Sequence, residues 1–72
     1  MKTVQATMAG TVLQVLVAKG DQVQAGQDVV LLESMKMEVP VQAEESGTVT
    51  SVKAEVGGFV SEGESLLELE GE

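Results

Sequence analysis

The chain repeats itself. Displaced by 37 residues it matches itself without a gap: Val4-Gln5-Ala6 falls on Val41-Gln42-Ala43, Gly10-Thr11-Val12 on Gly47-Thr48-Val49, and Leu32-Glu33 on Leu69-Glu70. Val15, Gly20, Val23 and Gly26 pair with Val52, Gly57, Val60 and Gly63. Twelve identities fall in the thirty positions 4–33, where composition alone would produce about three. Two copies of a unit too short to bury its own apolar face imply two interlocked halves, about 1–35 and 38–72, related by an approximate twofold.

Each copy reads as strand, turn, strand, short strand, turn, strand. The first places strands near 3–7, 10–17, 22–24 and 28–33; the second near 39–43, 47–54, 59–61 and 65–70. Glycine recurs at the same offsets in both copies, as turns that need φ > 0 or a close approach require. Pro40 sits near the start of its strand, where a missing N–H is tolerated at a sheet edge. No window of helical length shows a 3.6-residue apolar stripe, so the chain reads as all-β. The duplication also fixes the inward face of Asp28–Glu33, which is apolar at both parities. Glu68 in the second copy stands where the first has Leu31, so Val30, Leu32, Leu67 and Leu69 point inward and Leu31 outward. Val12, Val15 and Val23, with Val49, Val52 and Val60, complete the expected core.

Seventy-two residues make one small domain spanning 1–72, near the lower limit for a self-sufficient core. Cysteine, histidine, tryptophan and tyrosine are absent, while thirteen valines and seven leucines accompany a single Phe59. Disulfides, thiolate or histidine metal sites, and serine-histidine or cysteine-histidine catalysis are therefore excluded. Acidic side chains in strands and turns read as a solvated surface, and the chain is expected not to be an enzyme. A net charge of −8 disfavours nucleic acid and anionic membranes and favours docking on basic protein surfaces. No stretch resembles a signal peptide or a membrane span, which makes a cytoplasmic monomer the expectation.

Between the copies lies Glu33-Ser34-Met35-Lys36-Met37-Glu38. The strand ending at Glu33 must reverse into the strand beginning near Val39 through a tight hairpin, with Lys36 and Met37 joining the copies. Such turns normally use Asn-Gly, Asp-Gly or glycine, and this tip has none. Two methionines at an exposed tip also run against burial preference and suit adaptable contact with a partner. A rule broken at one place in a locally consistent chain marks function. By contrast Lys2, Lys19 and Lys53 read as ordinary surface lysines.

Glu33-Ser34-Met35-Lys36-Met37 resembles the biotin-attachment motif of biotinyl/lipoyl carrier domains, usually Glu-Ala-Met-Lys-Met, with Ser34 replacing alanine. Ala43-Glu44-Glu45-Ser46-Gly47-Thr48-Val49 is similar to the segment that follows the motif, and the likeness runs from about Val4 to Glu70. The resemblance implies a flattened β-barrel, or barrel-sandwich hybrid, of two four-stranded sheets with pseudo-twofold symmetry and a modified lysine on an exposed hairpin. It implies biotin bound covalently to Lys36 by a biotin protein ligase, with Met35 and Met37 as flanking recognition residues and Glu33, Ser34 and Glu38 as ligase or partner contacts. It further implies a biotin carboxyl carrier, which shuttles a carboxyl group between biotin carboxylase and carboxyltransferase sites and catalyses neither step. An ordinary lysine amine is almost wholly protonated at neutral pH, so an activated acyl donor is needed. The gapless match between copies leaves no room for the "thumb" insertion of some carriers near Ala18–Val23. The absence of a Pro/Ala-rich linker fits a free-standing carrier or a domain cut from a longer protein.

Two rivals share the fold. A lipoyl carrier would shuttle acyl or aminomethyl groups on lipoate joined to the same Lys36, but such domains commonly show Asp-Lys-Ala, and Met-Lys-Met favours biotin. An unmodified structural module would have no reason to keep the lysine between its methionines.

Overall fold

The computed structural model describes residues 2–71. Its elements are β1 (Lys2–Gln5), β2 (Gly10–Val15), β3 (Gln22–Val23), β4 (Asp28–Ser34), β5 (Met37–Gln42), β6 (Gly47–Val52), β7 (Phe59–Val60) and β8 (Ser65–Glu70). They form two four-stranded sheets, ordered β1-β8-β6-β3 and β5-β4-β2-β7, as the resemblance implies. Each sheet takes two strands from each copy. The halves are interlocked, and neither has a core of its own. Together they make an elongated two-sheet barrel of 36 × 19 × 18 Å.

The twofold extends to single hydrogen bonds. Gly26 N–H donates to Ala43 O at 2.7 Å, and Gly63 N–H donates to Ala6 O at 2.9 Å. Gly20 N–H donates to Val49 O, and Gly57 N–H to Val12 O, both at 2.8 Å. Every one of these bonds crosses from one copy to the other. Four tight turns repeat the pattern, closed by N–H donors of Asp21, Gln27, Gly58 and Glu64 to the carbonyl three residues earlier. Their third residues are Gly20, Gly26, Gly57 and Gly63, at φ 95°, 87°, 87° and 85°, the type II arrangement that glycine alone occupies without strain.

The core is aliphatic, with no buried polar or charged side chain among the described residues. Val12, Val23, Val30, Leu32, Val49, Val60, Leu67 and Leu69 are buried, as their parity predicts. Leu31 is half-buried on the outer side. Three expectations are corrected. Val15 and Val52 are only partly buried, packed against the core from its border. Strict alternation from the outward Leu31 and Glu68 would turn Val29 and Leu66 outward, yet both are fully buried beside Val30 and Leu67. The cause is a bulge: the ladder slips between Asp28 and Val30 against β5, and between Val4 and Gln5 where β1 meets β8. One extra residue turns two neighbours to the same side. Finally, β5 begins at Met37 rather than near Val39, so Pro40 lies inside the strand; it is tolerated because β5 is an edge strand with β4 as its one neighbour.

Candidate functional site

β4 and β5 run antiparallel in unbroken register from Val30↔Val41 to Ser34↔Met37. That pairing leaves two residues, Met35 and Lys36, to reverse the chain. Both adopt positive φ, 54° and 64°, the sign pattern of a type I′ hairpin turn. Among the described residues they are the two non-glycine residues at positive φ. Left-handed backbone costs roughly 1–2 kcal/mol for a residue with a Cβ, and Asn-Gly at the same two positions would avoid most of that. The local sequence therefore holds a strained turn that the long β4–β5 ladder enforces.

The ladder projects the tip into solvent. Met35 is 91% and Met37 67% exposed, and Lys36 is exposed between them. Ser34 is half-buried where β4 ends, and Glu33 and Glu38, paired behind it, are exposed. The hairpin thus brings together all six sequence-predicted residues. The ion pairs among the described residues are Lys2–Glu45 at 3.0 Å and Lys53–Glu68 at 3.3 Å; Lys36 takes part in neither. Its amine is open to an acyl donor, and the fit of a covalently attached acid to this position is good. A surface hollow of about 590 Å³ lies along the β3 edge, lined by residues 22–25, Gln27 and Ser46-Gly47, and shares no residue with the hairpin.

At the opposite pole of the twofold, β8 pairs with β1 as β4 pairs with β5. Lys2 is paired with Leu69 on β8, and the Lys2 side chain passes so close to Gly71 that a Cβ there would lie 2.6 Å from its Cε.

Behind the tip, Gly10 sets how closely β2 packs on β4. A Cβ at Gly10 would stand 2.7 Å from Glu33 O, and one at the equivalent Gly47 2.8 Å from Glu70 O. The glycines keep the strand carrying Glu33 against its neighbour, which anchors the hairpin base.

The chain is thus a symmetric two-sheet β scaffold that displays one methionine-flanked lysine on a strained hairpin. A family model described as "Biotin-requiring enzyme", that of the biotin/lipoyl domain, matches residues 2–69, and the chain belongs to this family, whose members bear covalently bound biotin or lipoate. The chain is 54% identical over 67 residues to a biotin/lipoyl attachment protein of Bacillus subtilis, covering 93% of this chain and 92% of that one. It is 46% identical over 66 residues to the biotin-dependent acyl-coenzyme A carboxylase alpha3 subunit of Mycobacterium leprae, of which it spans 11%. Among solved structures it superposes on urea carboxylase of Kluyveromyces lactis with a TM-score of 0.89 at 29% identity, covering 96% of this chain and 6% of that one.

Proposed function

We propose that residues 1–72 act as one non-catalytic carrier unit, a cytoplasmic monomer, and that biotin is its group, joined to Lys36. The observation that carries this reading is the turn itself: Met35 and Lys36 occupy left-handed positions without glycine, and the tip exposes two methionines on either side of the amine. Stability alone would select otherwise, so the tip is read as selected for recognition. Met-Lys-Met, rather than Asp-Lys-Ala, supports biotin over lipoate.

In attachment, a bond forms between Lys36 Nζ and the carboxyl carbon of an activated acyl donor, an acyl-phosphate anhydride made by a biotin protein ligase. The bond from that carbon to the phosphate oxygen breaks, and the ammonium gives up two protons in becoming an amide N–H. Met35 and Met37 offer the ligase adaptable apolar contacts, while Glu33, Ser34 and Glu38 present the polar base of the hairpin. Biotin held there would supply a ureido nitrogen able to take up and release a carboxyl group. The chain contributes a rigid base and a long tether, which raises the effective concentration of the group at biotin carboxylase and carboxyltransferase sites. A net charge of −8 opposes self-association.

Intact mass after incubation with purified biotin protein ligase, and separately with lipoate ligase, tests the reading. One biotinyl adduct, absent from Lys36→Arg, is expected. A lipoyl adduct alone would transfer the assignment to lipoate, and neither adduct would overturn the carrier reading.

A further inference from the structure

The duplication supplies an internal control for the surface, because each outward position on one sheet has an equivalent on the other. On the sheet β1-β8-β6-β3 the outer face is polar. Lys53 Nζ pairs with Glu68 Oε2 at 3.3 Å, and Thr50 Oγ1 donates to Glu68 O at 3.2 Å. At the equivalent positions the sheet β5-β4-β2-β7 carries Leu16, Leu31 and Leu13. Gln22 and Lys19, exposed at β3 and the turn before it, are replaced at β7 and its turn by Phe59 and Val56. Five positions change from polar to apolar in the same direction, all on or next to the strands β2, β4 and β7 of one sheet. Phe59 is 68%, Val56 67% and Leu16 48% exposed. Solvation does not explain an unpaired surface of this kind, and its polar equivalents show that the backbone does not require it.

Register joins this face to the hairpin. Phe59 pairs with Thr11, Thr11 with Glu33, and Glu33 with Glu38. Directly paired residues share a face, so one row runs from the aromatic ring to two exposed carboxylates at the base of the Lys36 turn. Glu55, exposed beside Val56, adds a third. The centre is apolar and the rim acidic. A second copy would set these carboxylates against one another, whereas a basic rim complements them.

Resting on the carrier reading, we propose that the outer face of β5-β4-β2-β7 is a docking surface for biotin carboxylase, which would meet it through an apolar patch bordered by lysine and arginine side chains. Because β4 and β5 belong to this sheet, docking there would set the direction in which Lys36 points into the partner's site.

The test uses equivalents the backbone already accepts: Leu16→Lys, Leu31→Glu, Val56→Lys and Phe59→Gln together. Binding of purified biotin carboxylase from the same cell is measured with Lys36→Arg as background, so that attachment is not required. The fourfold change is expected to keep the thermal transition and to weaken binding at least about tenfold, and binding of the parent is expected to fall as salt rises. No binding by the parent, a Kd within about twofold after the exchange, or indifference to salt would overturn the proposal. So would a dimer in sedimentation that the exchange dissolves, which would assign the face to a second copy. Mass-detected biotinylation of the fourfold variant on the Lys36 background is expected to be unchanged; loss there with intact carboxylase binding would give the face to the ligase. Failure of the carrier reading shows separately, as no adduct on the unaltered chain.

Discussion

Glu33 and Glu38 stand directly opposite each other across β4 and β5, one pair behind the Ser34–Met37 pair that closes the hairpin. Like charges in this relation oppose folding, and both side chains are exposed. Glu38→Lys is therefore expected to raise stability by roughly 0.5 kcal/mol, a gain that shrinks as salt screens it. Urea unfolding at two ionic strengths reads this. On the proposed reading, in which Glu38 is a ligase contact, biotinylation should slow at the same time.

The turn stores the larger strain. Met35→Asn places at φ 54° a residue that adopts this conformation readily, and should stabilise the chain by about 1 kcal/mol. In a domain of this size that is a rise in Tm of roughly 4–8 °C. Attachment should become slower although the fold is firmer. A variant that is both more stable and equally good a ligase substrate would show that Met35 has no recognition role.

Met37 allows the complementary measurement. It is 67% exposed, so Met37→Ala should change stability by less than about 0.5 kcal/mol while altering turnover by the ligase or carboxylase. Large loss of thermal stability with unchanged turnover would contradict the assignment.

Gly10 and Gly47 make equivalent approaches to a neighbouring carbonyl. Alanine at either should cost about 1–3 kcal/mol, because backbone rather than a flexible side chain must give way. The functional outcomes should differ. Gly10→Ala displaces the strand at Glu33, next to the hairpin, and slows attachment; Gly47→Ala acts at Glu70, by the chain ends, and leaves the rate of attachment to the folded fraction unchanged.

The bulge in β4 has its own signature. Val29 is fully buried although Leu31, two residues on, is half-buried on the outer side. Val29→Thr should cost about 1–3 kcal/mol by burying a hydroxyl, and Leu31→Thr less than about 0.5 kcal/mol. Equal costs would mean that strict alternation holds along the strand.

Much of this protein is legible in its 72 residues. The 37-residue match locates the seam between copies, and Glu68 standing for Leu31 orients β4, because a strand's side chains alternate with a period of two and a charge cannot sit in the core. The glycines mark the four type II turns, since positive φ excludes other residues there at little cost. The lysine between methionines is visible as a broken turn rule.

Tertiary structure decided what depends on the neighbouring strand. The burial of Val29 and Leu66 follows from an extra residue that only pairing with β5 and β1 reveals. The left-handed conformation of Met35 and Lys36 is imposed by the β4–β5 ladder against their own preference. Likewise, Leu13, Leu16, Leu31, Val56 and Phe59 are scattered along the chain, and only the sheet order gathers them on and beside the strands of one sheet with the hairpin. Local chemistry sets which way a side chain can point; non-local pairing sets what it then stands beside.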